Sequence, residues 1–257
     1  MRGLSGALVC CAVALAAAAS ALAEPVSAEL AGKFARGEYM DAARQAEAAA
    51  GADELAFAAR AILAQCMTGA REPDTALVER ARKAAEGALR LDPAHEEAKL
   101  QLAIALSLKS RTMPALDAWN AGYGESGRRL ATEVLKSDPS NYYAHGFLAV
   151  WHVEARRRAG AVGAAFIGAS LKEARRHYHA AVQLAPDDVG IHWQYGRAIA
   201  ALDVRRYGEE AAQAMRHAMA AEANDHVEMV MQQRARSLAA VLPDNRRQAQ
   251  QLARTLL

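Results

Sequence analysis

The side chains in this 257-residue chain from which a catalytic or metal site could be assembled are eight histidines and, past the first two dozen residues, one cysteine, Cys66. Hydrolysis or acid–base chemistry would need a nucleophile, a base and an orienting group in convergent positions. His145 and His152 stand seven apart, on one face of a helix, with Glu154 close by in sequence, and His192 could add a third metal ligand from the next helix. Seven residues span two turns, about 10 Å of rise, which is too far for both rings to reach one ion. His177 and His179 flank Tyr178, and alternate residues of a helix face different sides, so they read as solvated or edge residues. Cys66 sits in an apolar helical pattern and reads as inert core. No HExxH, GxSxG, GxGxxG or GxxxxGK[ST] occurs. The expectation is therefore no enzyme, no metal and no cofactor.

The elements that carry these residues follow from composition and spacing. Hydrophobic residues make up 53% of the chain, aromatic ones 5% and charged ones 23%, and the net charge is +2. Basic groups such as Arg156 to Arg158, Arg128 with Arg129, and Arg246 with Arg247 alternate with carboxylates along helix faces, which argues against nucleic acid as a partner. Alanine dominates the apolar share and favours closely packed helices. No run of β-branched residues with a period of two is present, so an all-α protein is expected.

The first residues read as a signal for export. Arg2 supplies a positive start, Leu8 to Ala19 is apolar, and Ala21-Leu22-Ala23 offers the small-x-small site at which cleavage after Ala23 would leave Glu24 first. Cys10 lacks the small residue expected just before a lipidated cysteine. Residues 1–23 are thus expected to be removed, leaving 24–257 as one periplasmic or secreted helical domain with no stable membrane insertion. The mature chain would keep a single cysteine, so its stability would have to come from burial.

Three turns recur, Leu91-Asp92-Pro93, Ser137-Asp138-Pro139 and Leu184-Ala185-Pro186, with prolines 46 and 47 residues apart. Proline cannot continue a helix, so each turn closes one helix and opens the next. Twelve and five residues before, and nine and ten residues after, the prolines stand Ala81, Ala88, Leu102 and Ala103; Gly127, Val134, Leu148 and Ala149; and Ala174, Ala181, Tyr195 and Gly196. Gly37, Tyr39, Ala42 and Ala49 supply the other half of the same pattern near the N-terminus. At these residues the chain resembles the tetratricopeptide repeat family over most of residues 26 to 222. The family's standard period is about a dozen residues shorter. The extra length falls at Arg111 to Glu125 and Arg157 to Leu171, in apolar, helix-compatible inserts.

Residues Gly160 to Gly196 also resemble the elongated repeat of the regulator of microtubule dynamics family, through Gly163, Ile167, Gly168, Lys172, Ala181, Leu184, Pro186, Asp188, His192 and Gly196. That resemblance implies an elongated repeat variant and nothing about a cytoskeletal role. Helices are expected at 27–36, 39–50, 53–69, 75–91, 94–109, 113–137, 140–158, 161–184, 188–203, 208–222, 224–241 and 244–256, pairing into about six antiparallel hairpins of an α-solenoid. A HEAT-like array is the alternative. The last helix, rich in arginine and glutamine, reads as a solubilising cap.

The tetratricopeptide resemblance implies a concave groove lined by Glu97, Leu100 and Ile104, then Tyr143, Gly146 and Val150, then Gly190, Trp193 and Arg197. The lysine and asparagine clamp with which some members hold a terminal carboxylate is missing, so an apolar segment is the better ligand. Tyr143, Val150, Trp151, Trp193 and Arg197 are the expected binding residues, since aromatic and arginine anchors carry most of the energy in such sites. The inserts, with Trp119 and Tyr123 in the first and Phe166 and Ile167 in the second, are either an extension of the core or a ligand-lining wall. Two functions follow as expectations. One is an exported scaffold that holds a protein partner or an apolar polypeptide segment. The other is a periplasmic carrier of an apolar small molecule, similar to the tetratricopeptide component of tripartite transporters.

Overall fold

The computed structural model describes residues 26–69 and 72–256, and the export signal read from the sequence lies outside them. Among the described residues the chain is an all-α helical repeat solenoid without strands. Its helices are α1 (Ala28–Ala35), α2 (Tyr39–Ala49), α3 (Ala52–Thr68), α4 (Thr75–Leu91), α5 (Glu96–Arg111), α6 (Ala115–Asn120), α7 (Tyr123–Ser137), α8 (Tyr142–Phe166), α9 (Leu171–Leu184), α10 (Val189–Ala220), α11 (His226–Val241) and α12 (Arg246–Thr255). Among the described residues no helix is long and apolar enough to cross a membrane.

Short polar residues start these helices by accepting from the free N–H groups of the first turn. Asp74 takes Ala76 N at 2.8 Å, Asn141 takes Ala144 N at 3.1 Å, Asp188 takes Ile191 N at 2.7 Å and Asp225 takes Glu228 N at 2.9 Å. The proline turns are built alike. The residue before each proline donates to the carbonyl four residues back, Asp92 to Ala88, Asp138 to Val134 and Ala185 to Ala181, each at 2.8 Å. At two of the turns the aspartate also accepts from the residue after proline, Ala94 N and Ser140 N, both at 2.9 Å.

The helices pack as six hairpins: α1 with α2, α3 with α4, α5 with α7, α8 with α9, the two arms of α10, and α11 with α12. α10 breaks at Asp203 and Tyr207, whose backbones leave the helical region, and the Asp203 carboxylate caps the second arm through Arg205 N and Arg206 N. Small residues let the arms approach. A Cβ on Gly196 would lie 2.8 Å from Ala214 Cβ and 3.3 Å from the Ala211 carbonyl. Ala81, Ala88, Ala103, Ala149, Ala174 and Ala181 of the repeat pattern are fully buried, whereas Ala49 ends α2 in solvent.

The two inserts depart from the expected helices. The helix expected at 113–137 is two, α6 and α7, parted at Gly122. In the second insert α8 runs on past residue 158 and bends at Gly160, whose φ of 69° is one that only glycine adopts freely. The chain turns again at Gly168, φ 72°, before α9.

The solenoid curls far enough to meet its own beginning. α11 packs on α1 and α3, and the Tyr39 hydroxyl and His226 Nδ1 share a hydrogen bond of 3.0 Å. Arg234 donates to the carbonyls of Met67, Thr68 and Gly69 at the end of α3. α12 then folds back onto the first arm of α10. Gln250 Nε2 donates to Leu202 O at 3.2 Å and Arg254 Nε to Ala201 O at 3.0 Å, while Ala249 and Ala253 are buried beneath. The helix expected to be a solubilising cap is therefore amphipathic and docked, with alanines inward and arginine and glutamine outward or bonded to main-chain carbonyls.

Candidate functional site

α12 changes the groove. Arg197, on the first arm of α10, donates from Nη1 to Ala253 O at 3.4 Å and pairs through Nη2 with Glu154 Oε1 of α8 at 3.3 Å. Its side chain is only 2% exposed. Arg157 closes on the other Glu154 oxygen at 2.7 Å. Arg111, at the end of α5, reaches past them to donate to Leu256 O at 3.2 Å. Burial by itself would raise the pKa of the Glu154 carboxyl, and the guanidinium groups of Arg197, Arg157 and Arg111 outweigh it and hold the pKa below the ordinary range. This is a structural ion cluster tying the C-terminal helix to three earlier hairpins.

Several expected groove residues are therefore placed differently. Trp193 is fully buried in the main core and Arg197 is sealed under α12, so neither is on a surface that a partner can reach. Trp151 turns away from the concave side: its Nε1 donates to Gly124 O at 2.7 Å and the Arg128 guanidinium lies 5.4 Å from its ring, which ties α8 to the start of α7. Val150 is half-buried against the main core. Tyr143 stays exposed, its ring 4.2 Å from that of Tyr142. On the same side Glu97 meets Arg60 of α3 at 3.2 Å, and that guanidinium sits over the Phe34 and Phe57 rings. The covering of the Arg197 end of that side comes from a distant helix, α12.

The inserts carry the three most exposed large apolar side chains among the described residues, and Trp119 besides. Val162 and Phe166 are each 85% exposed, Leu116 is 69% and Trp119 49%. Val162 and Phe166 are four residues apart and Leu116 and Trp119 three apart, so each pair shares one helix face. Arg158 links the inserts by donating to Ser110 O at 2.8 Å and Met113 O at 3.2 Å, just before α6. Extension of the core, one of the two readings open for these inserts, does not describe Val162, Phe166 and Leu116. Tyr123 behaves otherwise. It is half-buried, packs against Ala103, Leu106 and Leu130, and has Lys109 Nζ 5.5 Å from its ring. Ile167 is half-buried at the turn after α8.

His179 is exposed, as its sequence position suggests, but His177 departs from that reading. His177 is buried, between the two rings that seemed too far apart to cooperate: its Nδ1 is 2.8 Å from His145 Nδ1 and its ring stacks 5.8 Å from that of His152. His145 Nε2 donates to Pro139 O at 3.2 Å and Arg176 Nη2 donates to His177 Nε2 at 3.0 Å. The hydrogen between the rings therefore belongs to His177. His192 repeats this device one hairpin later. It donates from Nε2 to Pro186 O at 2.8 Å and takes the Tyr178 hydroxyl on Nδ1 at 2.8 Å. A histidine six residues after the turn proline thus ties the helix start back to the turn in both units. The common spacing from Pro139 and Pro186 is the sequence signal for that role. Among the described residues no group of three or more His, Cys, Asp or Glu side chains is arranged to hold a metal ion.

No protein-family model matches the chain, and no curated protein is significantly similar to it. The functional reading rests on this geometry.

Proposed function

We propose that this chain is an exported, tetratricopeptide-like scaffold of the periplasm that works by holding a protein partner and catalyses no reaction. The observation that carries this reading is the pair of apolar faces on the inserts, Leu116 with Trp119 and Val162 with Phe166, presented to solvent on a rigid helical frame. Soluble proteins rarely expose several large apolar side chains on neighbouring elements unless something covers them. On the concave side α12 covers the Arg197 end, and of the expected anchors Tyr143 keeps the most exposed side chain, at 56%.

An apolar polypeptide segment fits the ridge: i, i+3 and i, i+4 pairs present the spacing that an amphipathic helix from a partner would match. The test is site-specific photo-crosslinking in the native host, with a photoreactive residue at position 166 or 119, and at exposed position 209 as control. One partner should be captured from 119 and 166 and not from 209. Val162→Asp with Phe166→Asp should abolish capture while leaving the melting temperature unchanged, because residues this exposed contribute within about 0.5 kcal/mol to stability. Equal capture from all three positions, or capture indifferent to the double substitution, refutes the reading.

A further inference from the structure

Between α7, α8 and α9 lies an open cleft of about 490 Å³, lined in part by Arg128, Thr132, Lys136 and Arg176 and by the three clustered histidines. Its cationic donors are Arg128, Lys136 and Arg176, and one imidazole N–H joins them. The bonding pattern fixes this for the rings. His145 and His177 have both nitrogens committed in the chain that runs from Arg176 to the Pro139 carbonyl, so neither carries a second hydrogen. His152 accepts Ser170 N–H on Nδ1 at 3.3 Å, which leaves its hydrogen on Nε2, in a ring that lines the cleft. With the imidazoles neutral, the charge of the lining comes from two guanidinium groups and one ammonium against a single carboxylate, Glu173, which is paired with Arg176 at 2.7 Å. The lining thus carries a net two positive charges, with the exposed Glu125 carboxylate, outside the cleft, 3.9 Å from Arg128. Leu135, Leu148 and the stacked rings of His152 and His177 supply apolar wall.

We infer that this cleft binds a compact organic dianion, a phosphomonoester or a dicarboxylate, whose charged oxygens meet Arg128, Lys136 and His152 Nε2–H while its carbon skeleton lies on the imidazole and leucine wall. The size suits this class, since small-molecule sites commonly enclose about 300–1,000 Å³ and a bare inorganic anion would leave most of this cleft to water. Guanidinium and ammonium donors are the usual partners of such oxyanions. The neutral imidazole wall also separates the cleft from a site for cations, which three cationic side chains would repel. This site lies apart from the apolar ridge, so its test does not depend on the scaffold reading.

The experiment is calorimetric and NMR titration of the full mature chain with phenyl phosphate, succinate and inorganic phosphate, using acetate and benzyl alcohol as monoanionic and neutral controls. One equivalent of phenyl phosphate or succinate should bind, shift the His152 ring resonances and weaken as salt is added. Lys136→Gln, a change at an exposed position, and Arg128→Gln should each lower affinity tenfold or more, since each removes a charge-assisted hydrogen bond to the dianion. Phenyl phosphate binding without succinate assigns the site to phosphomonoesters, and the reverse assigns it to dicarboxylates. Absence of any dianion effect on His152, equal binding of the controls, or full affinity in the Lys136→Gln, Arg128→Gln double variant overturns the inference.

Discussion

Replacing Glu154 by glutamine keeps the shape of the side chain and one acceptor oxygen but removes the one negative charge set among Arg197, Arg157 and Arg111. Arg197 would then stay 2% exposed with only neutral acceptors around its guanidinium, the Ala253 carbonyl, Gln194 and the retained amide oxygen. Breaking a buried ion pair from one side costs about 3–5 kcal/mol, because the remaining charge is left without compensation. The retained amide oxygen puts Glu154→Gln near the lower end. For a chain of this size each kcal/mol moves the melting temperature by about 2–4 °C, so a drop of about 6–12 °C is expected. The assay is thermal and urea unfolding followed by circular dichroism, with Glu154→Leu, Arg197→Met as the partner variant. That double replacement removes both charges and should recover most of the loss. The pH dependence has a definite sign. The folded Glu154 carboxyl binds its proton less tightly than the unfolded one, so the stabilisation is present above the ordinary carboxylate range and is lost as the pH falls through it. A Glu154→Gln midpoint within about 1 kcal/mol of the parent, or a double variant no more stable than the single one, refutes the reasoning, because a buried charge left alone cannot be that cheap.

Other outcomes follow from the packing and the histidines. Gly196→Val sets branched methyls against Ala214 and the Ala211 carbonyl, and overpacking of this kind costs about 1–3 kcal/mol, measurable as a lower urea midpoint with an unchanged slope. Arg234→Met removes the donor that satisfies three carbonyls at the end of α3. It should cost about 1.5–3 kcal/mol and speed amide exchange in α1 and α3 while sparing α7 to α9, and uniform exchange along the chain would contradict it. Burial lowers the pKa of His152 and His177 to about 4 from an ordinary 6.5, and lowers that of His192 as well. The unfolded chain therefore takes up these protons first, so stability is full above pH 6.5 and falls as the pH drops towards 4. A urea midpoint that is flat between pH 6.5 and 5, before most carboxylates titrate, would rule this out.

The helices were legible because their starts and stops are local chemistry. Pro93, Pro139 and Pro186 mark the turns, Asp74, Asn141, Asp188 and Asp225 mark the starts, and the small residues at fixed distances mark the hairpin seams. Even the break in α10 was readable, near Asp203. What the sequence could not show is which surface a distant segment covers. Trp193 and Arg197 hold groove-facing places in the repeat pattern, yet Trp193 is taken into the main core and Ala253 arrives from more than fifty residues away to cover Arg197. Trp151 is decided by the shape of the first insert, since its partner is the Gly124 carbonyl just past α6. His177 looked peripheral because neighbours in sequence point to different sides. Its importance comes from hairpin packing, which brings α9 against α8 so that one ring bridges two others a full two turns apart.

The meeting of the sixth hairpin with the first turns architecture into a counting rule. An open array gains or loses a unit at little cost beyond one interface, because each unit knows only its neighbours. Here His226 must arrive at Tyr39, and Arg234 at the end of α3, after one particular number of units. A duplicated or deleted hairpin anywhere along the way would carry the tail past its mooring. Length variation, the usual freedom of such proteins, is thereby forbidden to this one.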